Sequence, residues 1–272
     1  MTKRIGLIAG KGKLPVFWTE SAAKKGLDVF VYRLIESADQ SFQTASQIRN
    51  VNIGQFDHLI KTLKKDGIEE LVMLGKVEKS LLFQNLSMDR RIKGLFAQLE
   101  NLNDDTIMLA LVDEFINEGI EIGNQLDYLQ DLLPSPGILT SCKPDEKILA
   151  DIKYGFRMAK NIGKLDIGQT VIVKNKAVMA VEAIEGTDQA ILRGGQLGGS
   201  GVVAAKVSKP QQDIRFDIPT VGNTTLENLI RVRAGALVIE ANRTFLIDRE
   251  DFLSKAEENN IVVMALAISD IN

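Results

Sequence analysis

Short apolar runs alternate with amphipathic stretches through the first half of the chain. The apolar runs predict buried strands at Arg4 to Ala9, Asp28 to Leu34, Gln47 to Ile53 and Glu70 to Gly75. The amphipathic stretches predict helices at Pro15 to Lys25, Phe56 to Asp66 and Thr106 to Glu118. Because strands that alternate with helices usually pair in parallel through right-handed crossovers, we expect a Rossmann-like parallel sheet in this half.

The second half also alternates strand and helix patterns, but with more antiparallel character. Two apolar runs, Gln169 to Lys174 and Ala177 to Ile184, flank Asn175-Lys176 and predict a hairpin. Further strands are predicted at Val202 to Lys206, Ala236 to Glu240, Thr244 to Ile247 and Ile261 to Ala267. Helices are predicted at Asp145 to Asn161, Leu226 to Ala234 and Arg249 to Asn259. The predicted fold class is therefore α/β throughout, with a mixed sheet in this half.

The length and one break in composition predict two domains. The chain has 272 residues, more than one hydrophobic core usually organises. The stretch from Leu132 to Pro144 contains three prolines, a glycine and two serines, which suits a linker or an ordered surface crossing. We therefore predict a Rossmann-like nucleotide- or substrate-binding domain at residues 1–133, a linker at 134–144 and a catalytic α/β domain at 145–272.

Charge and composition argue against several classes of protein. A net charge of −3 does not favour a nucleic-acid binder that works by bulk electrostatics. No apolar run approaches the roughly 20 residues that span a bilayer, and the start of the chain has no signal-cleavage pattern. A single cysteine, Cys142, and a single histidine, His58, argue against disulfides, histidine-rich metal sites and catalytic triads. We expect a cytoplasmic protein.

Two predicted strand ends in the first half carry candidate binding residues. The first strand runs into Gly10, Gly12, Leu14 and Pro15, a glycine turn and helix start that suit a phosphate or ribose. Pro15 stands where the dinucleotide fingerprint wants a third glycine, so that match is incomplete. The acid Glu36 resembles a ribose-binding acid, and the alternative for the turn is a tight strand–helix connection. The fourth strand ends in Gly75 and Lys76, at the edge where open α/β sheets bind ligands. The alternative is that Lys76 is an ordinary solvated lysine.

The acidic pair Asp104-Asp105 precedes a predicted helix. It could bind metal, or Asp105 could cap the helix that follows.

The richest stretch lies between Glu182 and Pro219. It combines a glycine run, Gly194 to Gly201, with acids at Glu182, Glu185, Asp188, Asp213 and Asp217 and bases at Arg193, Lys206, Lys209 and Arg215, with Arg243 beyond. Carboxylates can hold a hard divalent cation, while Lys, Arg and glycine amides can hold phosphate oxygens. This combination predicts a metal-assisted phosphate site.

Local readings of that stretch leave alternatives open. A helix is expected to start near Glu185-Gly-Thr-Asp188, with Thr187 or Asp188 as its cap and with amides free for an anion. The alternative is a flexible glycine loop on the surface. Asp213 and Asp217 lie four apart, and in an extended segment both carboxylates would share a face, with Arg215 pointing elsewhere. The alternative there is an exposed charged loop.

These segments together resemble the UDP-2,3-diacylglucosamine pyrophosphatase family of lipid A biosynthesis, the LpxI type. The resemblance covers essentially the whole chain, through GLIAGKGKLP, VMLGKV, the Asp104-Asp105 pair, EAIEGTDQAILRGG, VVAAKVSKPQQDIRFDIPTVG and IEANRTFLIDR. It implies two domains with the active site between them and Mg²⁺-dependent hydrolysis, with Mn²⁺ as the alternative metal. The implied substrate is UDP-2,3-diacylglucosamine, and the implied products are UMP and 2,3-diacylglucosamine 1-phosphate, called lipid X. Peripheral contact with the inner membrane and a homodimer are both compatible with the sequence.

The resemblance together with the charges assigns roles to individual residues. Catalytic roles fall to Asp213, Asp217, Lys206 and Arg215, and the metal ligands to Asp213, Asp217 and Glu185. Substrate binding falls to Gly10, Gly12, Leu14, Pro15, Gly75, Lys76, Gly186, Thr187, Asp188, Arg193, Gly194 and Lys209. Two other classes stay open from the residues alone. One is a nucleotide-sugar or dinucleotide-dependent oxidoreductase that uses Gly10, Gly12 and Glu36, and the other is a non-catalytic nucleotide- or lipid-binding protein.

Overall fold

A computed structural model describes residues 2–34, 40–77, 88–100 and 104–271. Within it the chain divides into two compact units. Unit 1 comprises Met1–Leu129 together with Ile214–Phe216, and unit 2 comprises Gln130–Asp213 and Asp217–Asn272. The predicted ribose-binding acid, Glu36, lies outside the described residues.

Unit 1 is built on a parallel sheet, as the alternating pattern predicted. Its five strands are β1 (Arg4–Ala9), β2 (Asp28–Arg33), β3 (Gln47–Asn50), β4 (Glu70–Leu74) and β5 (Glu121–Ile122). They lie in the order β3-β2-β1-β4-β5, and every pairing is parallel. This order, which extends on both sides of the first strand, is that of a Rossmann-like sheet. The carboxyl ends of β1 and β4 therefore lie side by side.

The helices of unit 1 form because each buries one apolar face. They are α1 (Leu14–Lys24), α2 (Phe56–Lys65), α3 (Arg90–Ala97) and α4 (Asp104–Asn117). In α2 the buried positions Phe56, Leu59, Ile60 and Leu63 follow the three-and-four spacing of one helix face. Helix α4 begins at Asp104, so Asp105 lies inside it and the prediction that Asp105 precedes the helix as its cap is wrong. The sequence analysis did not predict helix α3 or strand β5.

Unit 2 has a mixed sheet, also as predicted. Its strands in chain order are β6 (Gly137–Ile138), β7 (Thr170–Lys174), β8 (Ala177–Val181), β9 (Val203–Lys206), β11 (Ala236–Glu240) and β13 (Val262–Leu266). They lie in the order β6-β13-β11-β9-β7-β8, with β9, β11 and β13 parallel and the other pairings antiparallel. Two further short strands, β10 (Thr220–Val221) and β12 (Phe245–Leu246), pair in parallel.

The helices of unit 2 cover both faces of this sheet. They are α5 (Glu146–Lys164), α6 (Thr187–Gly198), α7 (Asn223–Arg231) and α8 (Arg249–Glu258). One buried cluster joins α6, α7 and α8 to one face, and a second joins Ile152, Phe156 and Ala159 of α5 to the other. A sheet covered on both faces buries its strands completely, which explains the continuous apolar pattern of β11.

The hairpin predicted around Asn175-Lys176 is confirmed. Both residues have positive φ, 50° and 55°, as the two-residue turn that matches the strand twist requires. Buried Asp151 accepts hydrogen bonds from both of their backbone amides, at 2.8 and 2.6 Å. Among the described residues, no helix is long and apolar enough to cross a membrane.

Candidate functional site

The polar groups of unit 2 concentrate at the carboxyl ends of β9 and β11. These strands are parallel neighbours, and Lys206 and Glu240 are their last residues. Open α/β sheets bind ligands at this edge because strand ends and helix starts leave backbone and side-chain groups exposed there. The predicted catalytic residue Lys206 therefore lies where the architecture favours a site.

Lys206 is buried in a group of carboxylates. Lys206 is only 7% exposed, and its Nζ donates a 2.8 Å hydrogen bond to the carbonyl oxygen of Thr220. Burial lowers the pKa of the Lys206 ammonium, and the opposing charges of Glu182, Asp188 and Asp217 only partly offset that effect. A lysine with a perturbed pKa among acids is typical of functional sites, because chemistry demands groups tuned away from their solution behaviour.

Threonine hydroxyls donate hydrogen bonds to two of the acids of this cluster. Buried Glu182 accepts a 3.0 Å hydrogen bond from Thr187 Oγ1, which also lies 3.2 Å from Thr170 Oγ1. Asp188 accepts from Thr225 Oγ1 at 3.3 Å. The structure thus brings three residues predicted to function, Lys206, Asp188 and Asp217, into one electrostatic group.

Glu182 was noticed in the sequence as one of several acids but was given no role. Its burial and its bond to Thr187 show that it belongs to the same group.

The N-cap of helix α6 lies before the two residues that were predicted to cap it. Gly186 occupies the cap position, and no side chain caps the helix, so the prediction that Thr187 or Asp188 is the cap is wrong. Both residues lie in the first helical turn instead, where the helix dipole favours the carboxylate of Asp188. Their side chains do not cap the helix. Thr187 donates a hydrogen bond to Glu182, and Asp188 accepts one from Thr225.

Three glycines of the run form a packing surface within a helix, while Gly199 and Gly201 follow the helix with positive φ. Gly194, Gly195 and Gly198 lie inside α6, where interior amides are committed to the helix itself. A Cβ on Gly194 would lie 2.5 Å from Ile172, and one on Gly195 would lie 2.3 Å from Val232. The glycines let α6 lie directly on β7 and on the residue that follows α7. The prediction that Gly194 binds phosphate assumed a free backbone amide, whereas Gly194 lies within a helix.

Asp213 and Asp217 flank a single turn. The amide of Asp217 donates a 2.9 Å hydrogen bond to the carbonyl of Asp213, so Ile214, Arg215 and Phe216 form a turn. The prediction of an extended segment is wrong, and the absence of a regular helix here is as expected. Such a turn still places residues four apart on neighbouring positions. Asp213, Arg215 and Asp217 each engage in further interactions.

Other predicted residues of unit 2 are engaged in ion pairs. Glu185 accepts a hydrogen bond from Arg193, which also donates to the carbonyl of Val181 at 2.8 Å, and the Glu185 carboxylate also accepts from the amide of Ala183. A hydrogen bond from its own backbone amide, followed by the bond from Arg193, lowers the pKa of the exposed Glu185 carboxyl. Lys209 pairs with Asp166 at 2.6 Å. Glu185 is thus placed with Arg193 rather than with Asp213 and Asp217.

Asp213 and Asp217 are the pair of carboxylates considered as ligands for a metal ion. In the part of the chain that the structure describes, no group of three or more His, Cys, Asp or Glu side chains could hold a metal ion. Mg²⁺ is commonly held by one or two carboxylates together with substrate phosphate oxygens and water. Asp213 and Asp217, on one turn, fit that donor set, while Glu185 does not join them.

The predicted strand-end residues of unit 1 also come together. Lys11 and Lys76 form an antiparallel bridge, with amide-to-carbonyl distances of 2.9 and 3.0 Å. A Cβ on Gly10 would lie 2.8 Å from the backbone of Gly75, and one on Gly75 would lie 2.7 Å from Gly10, so only glycine allows this approach. Opposed residues of an antiparallel bridge point to the same face, so two ammonium groups leave this edge together.

A buried glutamine that the sequence did not single out holds the glycine turn of unit 1. Gln40 Nε2 donates to the carbonyl oxygens of Gly10 and Gly12, at 2.6 and 2.8 Å. Helix α1 begins at Leu14 with Pro15 next, and the amide of Val16 already donates to the carbonyl of Lys13. The helix start therefore offers few free amides, and the exposed ammonium group of Lys76 can donate to an anion at this edge.

Comparison with known families accounts for nearly the whole chain. The model for the LpxI N-terminal domain matches residues 4–132, and the model for the LpxI C-terminal domain matches residues 135–264. A relative from Caulobacter vibrioides, UDP-2,3-diacylglucosamine pyrophosphatase LpxI, is 31% identical over 275 residues. That alignment covers 97% of this chain and 98% of the relative.

Solved structures resemble the chain only loosely. N5-carboxyaminoimidazole synthetase from Staphylococcus aureus has a TM-score of 0.27 and 13% identity, covering 72% of this chain and 45% of its own. The GalE-like L-threonine dehydrogenase from Cupriavidus necator has a TM-score of 0.30 and 11% identity, covering 94% and 93%. Likeness at this level carries no argument about function.

Proposed function

This chain belongs to the LpxI family, and on that premise we propose that it hydrolyses the pyrophosphate of UDP-2,3-diacylglucosamine in lipid A biosynthesis. The products would be UMP and 2,3-diacylglucosamine 1-phosphate, lipid X. The observation that carries the proposal at the level of residues is the buried Lys206 among Glu182, Asp188 and Asp217. It supplies the positive charge and the acids that phosphoryl transfer to water requires.

The reaction has simple stoichiometry. The oxygen of a water forms a bond to one phosphorus, the bond from that phosphorus to the bridging oxygen breaks, and a proton of the water is released. Charge spreads over the phosphoryl oxygens in the transition state, so preorganised cations near those oxygens lower the barrier. Lys206 Nζ uses one proton on the carbonyl of Thr220, which fixes its direction and leaves two protons for phosphate oxygens.

Acids would orient the attacking water or hold the metal. Asp213 and Asp217, held on one turn, are proposed to accept hydrogen bonds from the attacking water or to hold the metal. Arg215 is proposed to stabilise developing charge between them. Glu182 acts one step back, because its carboxylate fixes the hydroxyl of Thr187 at the start of α6.

We propose Mg²⁺, with Mn²⁺ as the alternative, as the metal that Asp213 and Asp217 would hold. When bound, it would supply charge neutralisation for the pyrophosphate oxygens. The proposal rests on the donor set of this turn and on the chemistry of pyrophosphate hydrolysis.

Exposed apolar side chains near the cluster suit a lipid substrate. Leu165, Ile167 and Ile184 are 70%, 48% and 99% exposed. Their loops touch, since a Cβ on Gly168 would lie 2.1 Å from the carbonyl oxygen of Glu182. We propose that this apolar rim faces the acyl chains of substrate at the inner membrane, with the protein on the cytoplasmic side. Sedimentation with phospholipid vesicles tests this part, and wild-type protein that stays unbound would contradict it.

Direct turnover tests the reaction. Purified protein is incubated with UDP-2,3-diacylglucosamine and Mg²⁺, UMP is quantified by anion-exchange chromatography and lipid X by mass spectrometry. We expect both products in equal amounts, and loss of activity in excess EDTA with recovery on adding Mg²⁺ or Mn²⁺. Undiminished activity in EDTA would refute the metal, and absence of both products under every metal would refute the activity.

Labelled water then locates the chemistry. Hydrolysis in H₂¹⁸O places the label either in UMP or in lipid X, which identifies the phosphorus that is attacked. A titration with NAD(P)H in the same preparation should give no binding, and tight binding would support dinucleotide chemistry instead.

A further inference from the structure

A buried ion pair holds the backbone amide and carbonyl of Ser208, at the start of the segment that leads to Asp213. Lys160 of α5 bonds both carboxylate oxygens of Glu240, at 3.1 and 2.9 Å, and also donates to the carbonyl of Ser208 at 2.7 Å. The same carboxylate accepts the amide of Ser208 at 2.8 Å. The amide and the carbonyl of one residue are thereby fixed by two side chains from different elements.

Both charged partners are almost inaccessible to water. Glu240 is 2% exposed and Lys160 is 9% exposed. A buried pair of this kind seldom adds net stability, because desolvation of both charges offsets their attraction, and apolar replacements are often neutral. The value of this pair is therefore expected to lie in the geometry that it imposes rather than in stability.

Hydrogen bonds carry that geometry from Ser208 towards the acids. Gln212 Oε1 accepts from Ser208 Oγ and from the amide of Lys209, both at 2.9 Å. The amide of Gln212 returns a bond to the carbonyl of Lys209 at 3.1 Å. The next residue is Asp213, whose carbonyl closes the turn to Asp217.

We propose that Lys160 and Glu240 are positioning residues that fix the segment from Ser208 to Asp213 and thereby the place of Asp213 and Asp217 in the reaction. The inference rests on the proposed function for its kinetic consequence. In this proposal both residues act through the backbone of Ser208 and not by contact with the substrate. A displacement of about 1 Å at reacting groups can cost on the order of 10²-fold in rate, so the grip matters even though it is remote.

A set of variants separates positioning from stability. Lys160→Met leaves the buried Glu240 carboxylate with only its 3.9 Å contact to Arg243, and Glu240→Gln removes the carboxylate that pairs with buried Lys160, so each should lower the thermal midpoint and kcat together. The double variant Lys160→Met/Glu240→Gln removes both charges. We expect it to regain most of the thermal midpoint while kcat stays roughly 30-fold low and KM stays within about 2-fold. Lys164→Met, an exposed lysine one turn further along α5, is the matched control and should leave both quantities unchanged.

Glu240→Asp provides a second measurement if the double variant folds poorly. It keeps the charge but withdraws the carboxylate by one methylene from the Ser208 amide, so kcat should fall while the protein stays folded. A double variant, or an aspartate variant, with wild-type kcat would overturn the inference.

Amide hydrogen exchange measures, without substrate, how firmly the segment from Ser208 to Asp213 is held. Amides of residues 208–213 should exchange faster in the double variant than in the wild type, with β11 and α5 unchanged. Unaltered exchange in that segment would refute the grip, whereas failure of the wild type to hydrolyse substrate would refute only the proposed function.

Discussion

Two strand-end sites of this chain share an architecture and differ in how they hold positive charge. In unit 1, Lys11 and Lys76 leave the ends of β1 and β4 on one face, and Lys76 is exposed. In unit 2, Lys206 at the end of β9 is buried among acids, with a lowered pKa. An exposed ammonium attracts anions with little selectivity, because water screens it.

The difference indicates a division of labour. A buried ammonium acts at a lower effective dielectric, so it can stabilise charge that appears only in the transition state. The exposed ammonium of Lys76 instead attracts a phosphate whether or not reaction occurs. We therefore expect unit 2 variants to change kcat and unit 1 edge variants to change KM.

The largest effect is expected from Lys206→Met. Loss of the buried charge should lower kcat by about 10³-fold with little change in KM, because the interaction is made mainly in the transition state. Steady-state kinetics on wild type and variant measure it, and circular dichroism checks that unit 2 is folded. A kcat within about 10-fold of wild type would remove Lys206 from the chemistry.

Asp213→Ala is expected to come next, with kcat lowered on the order of 10²-fold, roughly 3 kcal/mol, and binding largely kept. Removal of a negative charge also lessens repulsion against pyrophosphate, so this variant should retain intact substrate during purification. Asp217→Ala, measured in parallel, is the rival. If only the Asp217 variant loses kcat, the central role passes to Asp217 and Asp213 becomes a bracing residue.

Asp66→Asn probes stability in unit 1 instead of catalysis. Burial raises the pKa of the Asp66 carboxyl, but hydrogen bonds from Arg49 and Tyr32, at 2.7 and 2.8 Å, outweigh it and the net pKa is lowered. A lowered carboxyl pKa stabilises the fold above the pKa of the unfolded chain, and this stability is lost as pH falls through the folded pKa.

Urea unfolding should therefore show a loss of about 2 kcal/mol in the Asp66 variant near neutral pH, shrinking on acidification. Asp57→Asn, at an exposed pair with Lys61, should leave stability nearly unchanged, because water screens that pair. A difference between wild type and Asp66→Asn that stays constant down to acid pH would contradict the assigned cause.

The smallest effect is expected from Lys76→Met. KM for substrate should rise about 10-fold with kcat within about 2-fold, because the lysine binds ground state and transition state alike. Lys24→Met, an exposed lysine at the far end of α1, serves as the control. A fall in kcat at unchanged KM would erase the contrast between the two strand ends.

Local patterns predicted most of the fold and the outline of the unit 2 site. The strand Arg4–Ala9 and the strand Ala236–Glu240 have the predicted bounds, since buried parallel strands read as unbroken apolar runs. The membership in the LpxI family, predicted from motifs spread over the chain, is confirmed by both family models.

Features that depend on distant partners could not be predicted in the same way. Gly194 and Gly195 look like a loop because glycine disfavours helices, and only the positions of Ile172 and Val232 explain them. Lys160 and Glu240 are 80 residues apart and have no local signature. Their pairing becomes visible only when α5 and β11 are placed on one sheet.

The glycines of α6 also bear on how the protein reaches its active form. Each glycine within a helix costs on the order of 1 kcal/mol relative to alanine, so the isolated α6 segment, with Gly194, Gly195 and Gly198, has little tendency to form alone. We therefore expect the helix to form only once β7 and Val232 are in place, since its glycines pack against Ile172 and Val232. We expect activity to return later than bulk secondary structure during refolding, because Thr187 and Asp188 are set in position only when this helix docks, and simultaneous recovery of both signals would contradict that order.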